Sequence, residues 1–169
     1  MLNRLGKAEH VFNYFASEVK TVELEDGSIF KGTFVGGKRT GPGVIKYPDG
    51  TSYEGDFVNG EITGTGTKYT KEGDKRYEGQ WMNGKREGKG TEWNQDPGTR
   101  YEGDFVDDMF HGKGTMYLAD RTVEGLFSYN EIHGKAKIYN FDGSIIHALF
   151  NKGRYVHVLE NKDSSHKNS

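Results

Sequence analysis

A five-residue block of aromatic, charged, glycine, polar and aromatic residues returns along this chain at nearly constant intervals. It reads FKGTF from Phe30, YEGDF from Tyr53, YEGQW from Tyr77, YEGDF from Tyr101, VEGLF from Val123 and, in degraded form, IHALF from Ile146, at spacings of 23, 24, 24, 22 and 23 residues. A fixed period of this kind marks a small supersecondary unit that cannot bury its apolar side alone and must stack on copies of itself. Apolar and charged residues alternate within YEGDF, so Tyr53, Gly55 and Phe57 face one side and Glu54 and Asp56 the other, the pattern of a half-buried strand. Asn59-Gly60 and Asn83-Gly84 follow two of these strands, and Asn-Gly tolerates the positive φ angles of a tight hairpin. Each block then carries a Gly-x-Gly pair (Gly41/Gly43, Gly64/Gly66, Gly88/Gly90, Gly112/Gly114), with Ala136 as the second member after Gly134. Most blocks close on an acidic residue and glycine, as in Asp26-Gly27, Asp49-Gly50, Asp96-Pro97-Gly98 and Asp142-Gly143. The pattern predicts one hairpin per repeat and a second turn into the next. The fold class is all-β: an elongated single-layer antiparallel meander over residues 21–160, with five repeats and a partial sixth.

Composition agrees with a thin structure. Mean hydropathy is -0.84 and the hydrophobic share 33%, too little for a thick two-layer core, so the 10 Tyr, 10 Phe and 2 Trp must do most of the burying. The 25 glycines are about twice the usual share of roughly 7%. Glycine inside a strand only weakens it unless something lies against the bare backbone. The stripe Tyr53, Phe57, Tyr77, Trp81, Tyr101, Phe105 and Phe127 supplies the rings, with Gly55, Gly79, Gly103 and Gly125 between ring pairs.

These motifs resemble the MORN repeat, which runs approximately YEGEW, a turn, HGxG and a closing DG. The resemblance covers about Thr21 to Gly153. Val123 for the leading aromatic, Asp107-Asp108 for Asn-Gly, and Ala136 for glycine depart from it. The resemblance implies a non-catalytic scaffold for protein–protein interaction. By similarity to short stand-alone members, it implies a structural component of a cytoskeletal or ciliary axonemal assembly in the cytoplasm. Other relatives carry the repeats at membranes, which makes a peripheral tether to anionic phospholipids the alternative.

Candidate partner contacts are the ring stripe named above and three residues at hairpin tips more apolar than a tip requires, Ile62, Phe110 and Ile132. The lipid alternative would use Lys38, Arg39, Lys85 and Arg86. Basic, acidic and apolar tips alternate and the net charge is -2, which disfavours both a lipid surface and a nucleic-acid partner.

Residues 1–20 break the repeat. Leu5, Ala8, Phe12, Phe15 and Val19 recur at spacings of 3 and 4, the signature of an amphipathic helix that caps the sheet or binds a partner. Residues 161–169 form a polar tail. Homodimerisation through a sheet edge or the helix is a further expectation.

Neither the cysteine-free composition nor the scattered histidines supply a metal-ligand spacing, and no nucleophile elbow or phosphate-cradling loop occurs, so no enzyme activity, cofactor or metal is expected. Absence of cysteine fits a reducing compartment, and no apolar run reaches the roughly 18 residues of a membrane span.

Overall fold

The computed structural model describes residues 17–159. Thirteen strands follow one another in chain order as an antiparallel meander, which is the all-β class expected from the repeat. They divide into two compact units. The first comprises residues 17–75 and 81–84, the second residues 76–80 and 85–159.

The first unit contains β1 (Ser17–Glu23), β2 (Ile29–Val35), β3 (Lys38–Lys46), β4 (Ser52–Val58) and β5 (Glu61–Tyr69). β6 (Lys75–Met82) contributes Trp81 and Met82 here and residues 76–80 to the second unit. The second unit continues with β7 (Lys85–Trp93), β8 (Arg100–Val106), β9 (Met109–Tyr117), β10 (Arg121–Ser128), β11 (Glu131–Asn140), β12 (Ile145–Asn151) and β13 (Arg154–Leu159).

At the N-terminal end the sheet begins earlier than expected. Residues 17–20, read from their spacing as the last turn of a helix, belong to β1 and pair with β2, Val19 opposite Thr33 and Val22 opposite Phe30. The SEVKTVE segment alternates as a strand does, and the Asp26-Gly27 turn brings it back onto β2. The remainder of the helix reading, with Leu5, Phe12 and Phe15, lies outside the described residues, as does the tail.

Two kinds of turn build the meander. At Gly36-Gly37, Asn59-Gly60, Asn83-Gly84, Asp107-Asp108, Tyr129-Asn130 and Lys152-Gly153 both residues have positive φ, the two-residue hairpin whose twist matches its strands. Asp107-Asp108 therefore keeps the turn that Asn-Gly makes elsewhere. The longer turns at Asp26, Asp49 and Asp142 share another device: the aspartate Oδ1 accepts the amide two residues on, from Ser28 (2.9 Å), Thr51 (2.8 Å) and Ser144 (2.8 Å), across a left-handed glycine that lies between them.

Successive tight turns are tied together. The amide of the second turn residue donates to a carbonyl at the start of the preceding hairpin's return strand: Gly60 to Arg39 (2.9 Å), Gly84 to Ile62 (2.8 Å), Asp108 to Arg86 (3.1 Å), Asn130 to Phe110 (3.1 Å) and Gly153 to Ile132 (2.9 Å). A positive-φ turn exposes its amide on the outside of the bend, where the neighbouring repeat supplies the acceptor. Each repeat thereby depends on its predecessor for backbone satisfaction as well as for packing.

Candidate partner-binding faces

Where the rings go decides which surfaces remain for a partner. In the first unit, Gly32, Gly43, Gly55 and Gly66 stand directly opposite one another across β2 to β5. In the second, Gly90, Gly103, Gly114 and Gly125 do the same across β7 to β10. The leading ring of each repeat lies down on this bare backbone. A Cβ on Gly66 would come within 3.0 Å of Tyr53 Oη, Cζ and Cε2, and one on Gly114 equally close to the same atoms of Tyr101. The two members of each Gly-x-Gly pair thus do different work. Gly64, Gly88 and Gly112 adopt left-handed φ at a bulge, while Gly66, Gly90 and Gly114 make room for a ring.

Laid flat, the rings meet edge to face. In the first unit Phe34, Phe30, Phe57, Tyr53 and Trp81 form a chain with centroids 5.3, 5.0, 5.5 and 5.2 Å apart. In the second, Tyr77, Phe105, Tyr101 and Phe127 follow at 5.0, 5.3 and 5.0 Å. Each such pair adds about 1 kcal/mol beyond the area it buries. Tyr53 and Tyr77 are 1% exposed and Tyr101 0%. Their hydroxyls are satisfied locally, Tyr77 donating to Gln80 O at 2.9 Å and Tyr101 to Asp104 O at 3.1 Å. Burial pushes the Tyr77 hydroxyl up to about 12 and raises Tyr53 and Tyr101 as well.

Residues at the second position of the return strands cover the rings. Phe110 stacks on Tyr101 at 3.8 Å and meets Phe105 and Phe127 edge-on. Ile62 and Ile132 occupy the matching places and, like Phe110, stay half-buried. Arg39 does the same job with a cation: its guanidinium lies over Phe30 and Phe57, and Nη2 donates to Gly60 O at 2.7 Å. Arg86 lies over Tyr77 and Phe105, pairs with Glu92 at 2.5 Å, and binds Asp108 through Nε and Nη2. Lys85 pairs with Asp107 at 2.7 Å, and Lys38 is exposed. The arginines of the four basic tip residues thus serve the array's own packing. Arg39, Arg86 and Phe110 thus each offer a flat surface to a ring, while Ile132 packs on aliphatic side chains instead.

The fifth repeat replaces rings on glycine with an aliphatic cluster. Val123, Ala136, Ile138 and Ala148 are buried together against Met116, Ile132, Ile146 and Phe150. Val123 leaves no ring to accommodate, so a methyl group at Ala136 fits where Gly66 and Gly114 allow none.

The opposite face is polar and built as carefully. Asp56 Oδ2 accepts the Thr65 amide (3.0 Å), Gln80 Oε1 that of Lys89 (2.7 Å) and Asp104 Oδ2 that of Lys113 (3.0 Å), each clamping the bulge across its hairpin. The sequence pattern placed these side chains toward solvent without revealing that they hold the backbone. In the second unit this face carries a groove of about 550 Å³ whose lining includes Lys113, Glu124, Leu126, Lys135, Lys137 and Leu159. No helix of the described residues is long and apolar enough to cross a membrane, and no cluster of three or more metal-ligating side chains occurs among them.

The family model for the MORN repeat matches residues 30–52, 53–75, 77–96, 101–123 and 124–145. Comparison of the whole chain with curated proteins gives no match. The matched segments cover more than half of the sequence and coincide with the hairpins described above. MORN repeats are generally associated with scaffolds that bind proteins or membranes, a non-enzymatic type of array. On its repeats, its register and its rings laid over glycine, the chain belongs to the MORN-repeat family.

Proposed function

We propose that this protein is a protein-binding scaffold acting as a structural component of a cytoskeletal or ciliary axonemal assembly. The observation that carries the reading is the division of labour on the ring face. Interior rings are spent on packing, while part of the apolar surface of half-buried side chains stays open to solvent, Ile62 at a hairpin end of the first unit and Phe110 and Ile132 at consecutive hairpin ends of the second. Apolar surface of this kind offers contact area with few rotatable bonds, the property of hot-spot residues. The rings shape each unit's surface from beneath, Tyr53, Phe57 and Trp81 in the first and Tyr77, Tyr101, Phe105 and Phe127 in the second. The cytoskeletal or axonemal assignment is carried by similarity to short stand-alone members of the family.

Lipid tethering draws less support, because Arg39 and Arg86 face the rings and Lys85 is paired within the protein. The test pairs affinity purification of the tagged full-length protein from its native cells with sedimentation on anionic vesicles. Stoichiometric recovery of cytoskeletal or axonemal proteins without vesicle binding is expected. Salt-sensitive vesicle binding with no protein recovered would replace the scaffold with a membrane tether.

A further inference from the structure

The x position of the Gly-x-Gly pairs changes character along the chain. It holds Pro42 and Thr65 in the first unit, then Lys89, Lys113 and Lys135 in the second. The facing acceptor position changes as well. Asp56, Gln80 and Asp104 hold it in successive repeats, but the next has Leu126, which is 51% exposed. Lys89 is neutralised by Asp104 at 2.6 Å. Lys113, directly opposite Leu126, and Lys135 and Lys137 on β11 have no ion pair among the described residues.

Two carboxylates also line the groove, and Glu124 stands directly opposite Lys137 in the register. Glu102 accepts from Arg100 Nε (2.7 Å) and the Tyr117 hydroxyl (3.2 Å), and Glu124 accepts from the Tyr139 hydroxyl (3.0 Å). His147 stands opposite Lys137 and Leu159. In a chain of net charge -2 the groove thus has more lysines than carboxylates, and three of those lysines surround an exposed leucine without a direct ion pair among the described residues.

From this charge and spacing we propose that the groove binds an extended acidic peptide, its carboxylates on Lys113, Lys135 and Lys137 and an apolar side chain on Leu126. β9 and β11 are two strand steps apart, ~9.6 Å. Three residues of a polyproline-type chain advance ~9.3 Å and return to the same side, so acidic residues three apart meet Lys113 on β9 and then the adjacent Lys135 and Lys137 of β11. The interleaved leucines and glutamates favour a peptide over a phosphate polymer or a bilayer, which would need an unbroken basic surface. The proposal rests on the protein-binding reading above and names the chemistry of one partner segment.

The test is fluorescence anisotropy of a short labelled probe repeating Glu-Leu-Pro, titrated with the full-length protein. Saturable binding that weakens with salt is expected. It falls roughly tenfold or more in the Lys113→Gln/Lys135→Gln/Lys137→Gln variant and in Leu126→Asp, with circular dichroism and the denaturation midpoint confirming that both remain folded. Equal binding by the lysine variant, no binding by the wild type, or tighter lysine-dependent binding of anionic vesicles or single-stranded oligonucleotide would each overturn it. Recovery of native partners by the lysine variant separates the two readings. Full recovery with loss of probe binding leaves both standing on separate surfaces. Probe binding by a wild type that recovers no protein supports the groove and removes the scaffold.

Discussion

Gly114→Ala, made alone and in a Tyr101→Val background, measures the ring-on-glycine contact directly. A Cβ at Gly114 would come within 3.0 Å of Oη, Cε2 and Cζ of Tyr101, a ring that is 0% exposed and held by Phe105, Phe110 and Phe127. The ring has no room to retreat, so the single change costs about 1–3 kcal/mol by overpacking. Tyr101→Val removes most of a buried ring and costs about 3 kcal/mol. In that background the methyl group enters vacated space and alanine replaces a conformationally freer residue, a gain of roughly 0.5–1 kcal/mol. The double variant reproduces the Val123/Ala136 pair that the next repeat already contains. The coupling energy is then about 2–4 kcal/mol, far above the scatter for independent sites. Urea denaturation of the four proteins, followed by circular dichroism, gives the cycle. If Gly114→Ala costs the same within about 0.5 kcal/mol in both backgrounds, the glycine is there for its backbone and the packing argument is wrong.

Other consequences follow from the same structure. Lys152 sits at φ 49 beside Gly153, so Lys152→Asn should raise stability by roughly 0.5–1 kcal/mol in the same assay by easing a left-handed residue. Arg86→Ala should lower it by about 1–2 kcal/mol, through loss of ring contact and of a partner for Glu92, and Arg86→Lys should recover only part because an ammonium cannot lie flat on Tyr77 and Phe105. Tyr77 is raised to about 12, and Tyr53 and Tyr101 are raised too, so the native state holds protons that an unfolded tyrosine releases near 10. Their contribution is complete below pH 10 and is lost as pH climbs toward 12. Tyrosinate absorbance should therefore show a late step coinciding with loss of the circular dichroism signal, reduced by Tyr101→Phe.

Much of this fold could be read from the residues because local signals and the global fold agree. The strand alternation of YEGDF, the Asn-Gly hairpins and the period of the blocks all point to one meander. A further regularity was open to reading: each leading residue pairs with the one 13 positions on, Tyr53 with Gly66, Tyr77 with Gly90, Tyr101 with Gly114 and Val123 with Ala136. In that light the departure at Ala136 compensates the departure at Val123. Arg39 and Arg86 were harder, since a basic residue beside a turn reads as solvent-exposed and only the register shows it lying over rings. Lys113 and Lys135 stand between the members of Gly-x-Gly pairs, where the repeat pattern draws the eye to the glycines. At residues 17–20 two periods competed, and the helical spacing of Phe15 and Val19 masked the alternation that β1 follows.

Hydrogen–deuterium exchange of the full-length protein, alone and bound to the partner recovered from its native cells, tests the scaffold claim most directly. The half-exposed residues Phe110 and Ile132 and the groove lysines Lys113, Lys135 and Lys137 all lie on β9 and β11. Partner-dependent protection concentrated in peptides covering those two strands is the predicted result. Unchanged exchange across both strands, with protection elsewhere or a substrate turned over in place of a partner held, would contradict it.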